Sequence, residues 1–415
     1  MIFSKTRISN GLNNYKKIII IGLIVILLST SISNGLKIKK TNEITLEKNQ
    51  DFEPIDSGFI QWEKTFNTVS DLSENLHDEG HCVKQTSDGG YIIVGDGNAF
   101  DVCVIKTDEN GEKEWERFFD KCFDDRGYCV IEEQDGYVVL GTYDCKEVIW
   151  VIKIDKNGNM LWEKSHTPKP ICSAQFIEKT NDGGYIITGW GSYYNWLNCY
   201  DVLLLKIDSE GNEQWNKTVD SPFYSKSYSV AQTPDDGYIL TGGTCDTYDG
   251  ESDLWLIKTD SNGNFEWDKT FGDDETWNMG RTVAITSDNN IIVGGEQILI
   301  KTDLEGNLIW QKNIGSLKLQ ETSDCGFVLT GYKETRFKDR ELKIVKIDKD
   351  GDIEWEKTYG QGYRDEGHYI QQTKDGGYII IGFITHPVNP PYALYDVWLI
   401  KTGEKPESQN IGFNF

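Results

Sequence analysis

Positive charge is what this sequence is short of. Its 415 residues carry 42 lysines and arginines against 67 aspartates and glutamates, a formal net charge of -25. A surface so acidic repels phosphate backbones and anionic lipid headgroups, which argues against nucleic acid as a partner and favours cations, or basic or neutral molecules. Long apolar runs are scarce as well. The run IIIIGLIVILL at residues 18–28 falls short of the ~20 residues that span a bilayer. It follows Lys5, Arg7, Lys16 and Lys17 and precedes the small residues STSISNG, the layout of an export signal. Residues 1–35 are therefore expected to direct the chain to secreted or cell-surface space, either cleaved off or kept as an anchor. Any membrane attachment would run through that segment.

Reactive signatures are missing too. No cysteine pair has CxxC spacing, so a zinc ribbon or thioredoxin-type site lacks its ligands. GxSxG, HExxH and P-loop patterns are absent. The sequence thus assigns no catalytic residue, metal or cofactor. Calcium is the one ion its Asp-rich turns leave open, such as DKDGD at residues 348–352, but these turns lack the distal bidentate Glu of a calcium loop. The nine cysteines are an odd number, and eight lie between Cys82 and Cys245. In an exported chain they permit disulfides with at least one thiol left over, or else they are isolated buried thiols.

What the chain has is repetition. Tryptophans following a glycine-containing turn stand at Trp115, Trp162, Trp215, Trp267, Trp310 and Trp355, and Trp62 precedes them with no turn in front. A lysine marker recurs at Lys106, Lys153, Lys206, Lys258, Lys301, Lys346 and Lys401. A third marker follows a turn at Tyr91, Tyr137, Tyr185, Tyr238, Phe327 and Tyr378, with Ile291 in the fifth copy. Sevenfold recurrence at this spacing means an array of supersecondary units. Each copy reads as four short strands rich in Ile, Val, Tyr and Trp, separated by DGG and DxNG turns that supply positive φ. Runs such as YIIIGF are apolar at successive positions, so both faces of each sheet are to be covered. Four-stranded sheets packed around an axis make an all-β, seven-bladed β-propeller.

The two ends complete that count. The last copy stops after DVWLIKT, whereas FIQWEKTF at residues 59–66 is a tryptophan strand without predecessors. Pairing the two closes blade seven (residues 367–402) and removes an open edge. The expected organisation is a signal or anchor at 1–35, a polar linker at 36–58, the propeller at 59–402 and a flexible tail at 403–415. The tryptophans are expected to pack between neighbouring blades.

These residues carry a family resemblance. The hairpin D-x-x-G-x-x-x-W (Asp108, Gly111, Trp115; Asp260, Gly263, Trp267) resembles the repeat of quinoprotein-type propellers, whose tryptophan docks on the adjacent blade. YILTGG at residues 238–243, followed by DLWLIKTD, is similar to a kelch repeat. The whole pattern over residues 59–402 resembles exported repeat proteins of archaea and bacteria. The resemblance implies a fold and no particular chemistry. The sialidase Asp box is not matched: TDENGEKEW at residues 107–115 has one residue more on each side of its glycine.

In this topology the 1–2 and 3–4 turns share one face, and the 2–3 and 4–1 loops share the other. The second face varies between copies, and variable loops on a rigid scaffold are where binding resides. Blade three inserts WGSYYNWLNCY, with Trp190, Tyr193, Tyr194, Trp196 and Tyr200; blade seven inserts ITHPVNPPYALY, with Tyr392 and Tyr395. Exposed flat rings suit sugar faces or protein hot spots. Near the axis, the entrances to the first strands hold Glu79, His81, Arg126, Arg281, Arg364, Glu366 and His368, and DEGH occurs twice, at 78–81 and 365–368. Cys145, Cys199 and Cys245, with Cys122 and Cys172, fall on this same face, where cross-blade disulfides are expected. The reading is a monomeric, exported, non-enzymatic binding module for a glycan or protein ligand. A glycan-active hydrolase or lyase using the axial funnel, or a structural envelope component, are the alternatives.

Overall fold

The structure, a computed structural model, describes residues 59–68, 78–97, 100–143, 148–169, 171–192, 200–219, 224–245, 252–272, 278–335, 339–360, 364–387 and 393–406. The chain divides into Met1–Glu53 and Pro54–Phe415, and all described residues belong to the second unit. Residues 1–35, expected to direct export, lie outside them.

Among the described residues there are 28 strands and no helix, arranged as seven four-stranded antiparallel sheets. The hydrophobic pattern explains their placement. Second and third strands such as Tyr91–Gly97 and Val148–Asp155 are buried almost throughout, while fourth strands such as Met160–His166 alternate between exposed and half-buried positions. A strand covered on both faces is internal to a stack of sheets, and one with a wet face lies at the rim. The first strands of the seven sheets, Glu79–Gln85, Asp125–Glu133, Ile171–Lys179, Tyr224–Gln232, Gly280–Ile285, Lys318–Glu321 and Glu366–Gln372, touch their neighbours in a closed cycle. The protein is a seven-bladed β-propeller with these strands innermost.

Blade seven is closed from the other end of the chain. Ile60–Phe66 pairs antiparallel with Ala393–Thr402, from Ile60 opposite Thr402 to Phe66 opposite Val397. The Gly403 amide donates to the Phe59 carbonyl (2.8 Å). Trp398 Nε1 donates to Glu63 (3.0 Å), the tie that Trp150 makes to Glu163 (2.9 Å) in blade two and Trp255 to Asp268 (2.7 Å) in blade four.

Two of the repeated markers hold the ring together. Gly111, Gly158, Gly211, Gly263, Gly306 and Gly351 adopt φ between 74° and 82° in the 3–4 turns. A Cβ on Gly263 would lie 2.5 Å from the Trp215 ring of the preceding blade, and one on Gly111 2.6 Å from Trp62. The glycine is there both for the turn and for the indole that rests on it. Blade seven has no such turn, and Trp355 of blade six instead meets buried Phe59 edge-on at 5.1 Å. The second marker is a buried lysine that pins the 1–2 turn of its own blade. The pairs are Lys106–Asp88, Lys153–Asp135, Lys206–Asp182, Lys258–Asp235, Lys301–Asp288, Lys346–Asp324 and Lys401–Asp375, at 2.6–3.0 Å.

Candidate functional site

Six of the seven innermost strands begin with a β-bulge, between Gly80/Cys82, Gly127/Cys129, Ala174/Phe176, Ser227/Ser229, Gly280/Thr282 and Gly367/Tyr369. A bulge leaves one residue out of the ladder and re-aims its side chain. Those residues are His81, Tyr128, Gln175, Tyr228, Arg281 and His368, and with Leu317 of blade six they line an axial cavity of about 530 Å³. The glycines or small residues just before the bulges let the blades approach: a Cβ on Gly80 would collide with Ile381 of blade seven at 2.4 Å.

Of the residues expected near the axis, His81, Arg281, Arg364, Glu366 and His368 line this cavity. Arg126 does not. It pairs with Asp124 (2.9 Å) and lines a separate cavity of about 170 Å³ that also holds Trp190, the two cavities sharing Tyr128. Glu79 stands beside His81 and His368. The aspartates of the two DEGH copies do structural work: Asp78 accepts from the Thr68 amide and hydroxyl (both 2.7 Å), and Asp365 accepts from the Thr385 amide (2.8 Å).

Lysine and arginine outnumber carboxylates on the cavity wall. Arg281 is held by Glu296 (Nε–Oε1 3.0 Å) and lies over Tyr228 (4.3 Å). Arg340 lies over Tyr332 (3.9 Å) and shares Glu366 with Arg364, at 2.6 Å and 2.9 Å. Burial opposes the charge of Glu366, yet hydrogen bonds from the two guanidiniums, with the His368 ring close by at 3.8 Å, hold its carboxyl at about 2. Lys318 reaches across the axis from blade six and sits over the Phe176 ring of blade three (3.7 Å). Burial brings its ammonium down to about 8, against the pull of Cys129 and Glu178 and with the repulsion of Lys84. Phe176 also lines a further cavity of about 270 Å³ that holds Lys84 and Glu178, so Phe176 and Lys318 form the floor between the two. Four cations thus face two carboxylates.

The aromatic loop residues are engaged with their neighbours. Trp190 and Tyr200 are half-buried, meet edge-on at 4.6 Å, and both carry the Lys226 ammonium on their faces, at 4.5 Å and 4.9 Å. Tyr395 meets Phe383 edge-on at 5.0 Å. Tyr193, Tyr194, Trp196 and Tyr392 lie outside the described residues. Cys122 is disulfide-bonded, as expected for this face. Cys172 keeps its thiol, directed at the His166 carbonyl (3.8 Å), which corrects the expectation that it would be bridged. Its sulfur is enclosed at the start of the innermost strand, away from the loop tips.

In the Asp-rich turns each carboxylate accepts backbone amides two and four residues on, as Asp108 does from Asn110 (2.8 Å) and Glu112 (2.9 Å). Hairpin geometry accounts for these aspartates.

No family profile matches the chain, and no curated protein matches it. Among solved structures, it is similar to the Neurospora crassa Pan2 WD40 domain (TM-score 0.50, 10% identity, 77% of this chain and 88% of that one). It is also similar to YCF48 from Cyanidioschyzon merolae (0.47, 12%, 82% and 98%) and to the Pseudomonas aeruginosa periplasmic gluconolactonase PpgL (0.45, 10%, 68% and 86%). These neighbours are β-propellers. At such identities the likeness is one of fold alone.

Proposed function

We propose that the protein is an exported, non-enzymatic binding module that takes a carboxylate-bearing ligand, on a glycan or a protein, into the axial funnel at its 2–3/4–1 loop face. The observation that carries this is the cation excess there: Arg281, Lys318, Arg340 and Arg364 against Glu296 and Glu366, in a cavity of about 530 Å³, on a chain of net charge -25. Fixed guanidiniums matched to planar acceptors are the usual chemistry of carboxylate recognition. The bland account, rim ion pairing, engages the three arginines with Glu296 and Glu366 but leaves Lys318 without a carboxylate among the described residues and the wall with two positive charges in excess. Both carboxylates are committed to arginine, which favours binding over proton transfer. The quinoprotein-like and kelch-like character of the repeat and the export of the chain belong to the same reading. An array carrying acidic and neutral glycans beside peptides with free and amidated C-termini tests it. Saturable binding confined to carboxylate-bearing spots is the expected result, and binding without regard to the carboxylate would reject the reading.

A further inference from the structure

The two DEGH copies meet across the ring closure with different partners. Glu366 of blade seven is gripped by Arg340 and Arg364. Its counterpart in blade one, Glu79, accepts no side-chain hydrogen bond and joins no ion pair among the described residues. What stands next to Glu79 is a pair of imidazoles. The rings of His81 and His368 are stacked at 5.3 Å with 8° between their planes. One ligand atom from each of Glu79, His81 and His368 lies within 4.8 Å of the others, all at half-buried positions.

The hydrogen bonds of the two rings decide which nitrogens remain. His81 Nε2 lies 3.1 Å from Asp96 Oδ2, and His368 Nδ1 lies 3.1 Å from the Gly80 carbonyl oxygen. A carboxylate and a carbonyl only accept, so these two nitrogens carry the protons. Nδ1 of His81 and Nε2 of His368 are left with lone pairs. An imidazole whose far N–H is fixed by a carboxylate or a backbone carbonyl is oriented as metal-ligating histidines are. Asp96 is itself held, its other oxygen accepting the Gly127 amide of blade two (3.1 Å). The nearest rival for His368 Nε2 is Glu366 Oε2, which at 3.8 Å is too far to hydrogen-bond, the two guanidiniums holding the carboxylate by its other oxygen, Oε1.

We infer that Glu79, His81 and His368 form a two-histidine, one-carboxylate site for a divalent first-row cation, opening onto the axial funnel. Imidazole with carboxylate suits Zn²⁺ and its neighbours in the first row. Bonds of ~2.0–2.2 Å place donor atoms about 3–3.5 Å apart, so loading draws the trio together and turns the two parallel rings toward one another. Three protein ligands leave further positions open. Because His81 and His368 line the cavity, those positions face it. The inference stands apart from the anion reading, since a metal can load with no other ligand present.

Zn²⁺ is the probe. The full-length chain, stripped with a chelator and dialysed near neutral pH, is titrated with Zn²⁺ by calorimetry, beside the variants Glu79→Gln, His81→Asn, His368→Asn and Cys82→Ser/Cys129→Ser, the last removing a buried pair of thiols 3.7 Å apart that could take zinc themselves. One equivalent per chain is expected, weakened at least tenfold by each of the first three changes and unaltered in the cysteine double variant. Asp96→Asn is expected to weaken it about tenfold through the His81 ring. Glu79→Gln keeps shape and breaks no hydrogen bond or ion pair among the described residues, so it reads the site even if a histidine variant fails to fold. Absence of saturable binding, undiminished binding in Glu79→Gln, or loss confined to the cysteine variant would overturn the site.

Discussion

Each blade carries a lysine at most 7% exposed whose ammonium reaches the aspartate of its own 1–2 turn. Lys258 shows the full set: Asp235 (2.9 Å), Glu266 (2.9 Å) and the Thr259 carbonyl (2.9 Å). Removing the acid leaves a buried donor short of a partner, so Asp235→Ala is expected to cost about 1–3 kcal/mol in chemical denaturation. Partial burial works against these carboxylates. Hydrogen bonds from the turn threonine and the lysine outweigh it and hold Asp182, Asp235, Asp288 and Asp324 at about 2. A carboxyl depressed in the folded state contributes stability that is complete above its unfolded value near 4 and is lost as pH falls through the folded one. Thermal unfolding should therefore weaken steeply between pH ~4 and ~2, and Asp235→Asn should flatten that fall. The lysine marker was plain in the sequence, but its partner was not. The aspartate lies 13–26 residues earlier, and only the folded hairpin shows that the two turns share one end of the blade.

At the scale of the strand and its turn, the tryptophans act between blades, as their period suggested. Trp215→Ala removes the indole that lies on Gly263 and beside Tyr238 (5.9 Å). It is expected to lower stability by about 3 kcal/mol, the lower end for a large aromatic because the ring is half-buried. The closing strand matters more. Without residues 59–66, Ala393–Thr402 has an open edge, Trp398 loses Glu63, and Trp355 loses Phe59. Deletion should lower the melting temperature by roughly 5–15 °C at ~2 °C or more per kcal/mol, and a peptide of residues 59–68 added in trans should restore part of it. An unchanged melting temperature would show that the closure contributes nothing. This element was legible because an ending with no beginning stood opposite a beginning with no ending. The bulges were not. They displace a single residue and leave no mark on a repeat of this length, so Tyr128, Gln175 and Tyr228 went unread at the positions that in other blades were His81, Arg281 and His368. Arg340, Tyr332 and Lys318 were missed for another reason: they come from blade six, which departs from the bulged pattern and lends the funnel Tyr332 and Arg340 from its second and third strands besides Lys318 from its first.

Taken whole, the molecule sets a small basic hollow in a strongly acidic body. Charges of one sign lining a cleft with low-dielectric walls act more strongly than they would on an open surface, and the surrounding acid excludes anions that do not fit. Lys318 at the floor makes the behaviour pH-dependent. Burial keeps its ammonium at about 8, so it is charged at neutral pH and loses its proton as pH rises through that value. Affinity for an anionic ligand should fall across pH ~7 to ~9, and the fall should be absent in Lys318→Met. The most direct measurement of the account is paired calorimetry on the full-length chain: carboxylate ligands against their amide or neutral counterparts, with wild type beside Arg281→Ala/Arg340→Ala. The account predicts that an acid binds at least tenfold more tightly than its neutral counterpart and that the double variant loses this preference. Equal affinity for the two, or a preference that survives in the double variant, would contradict it.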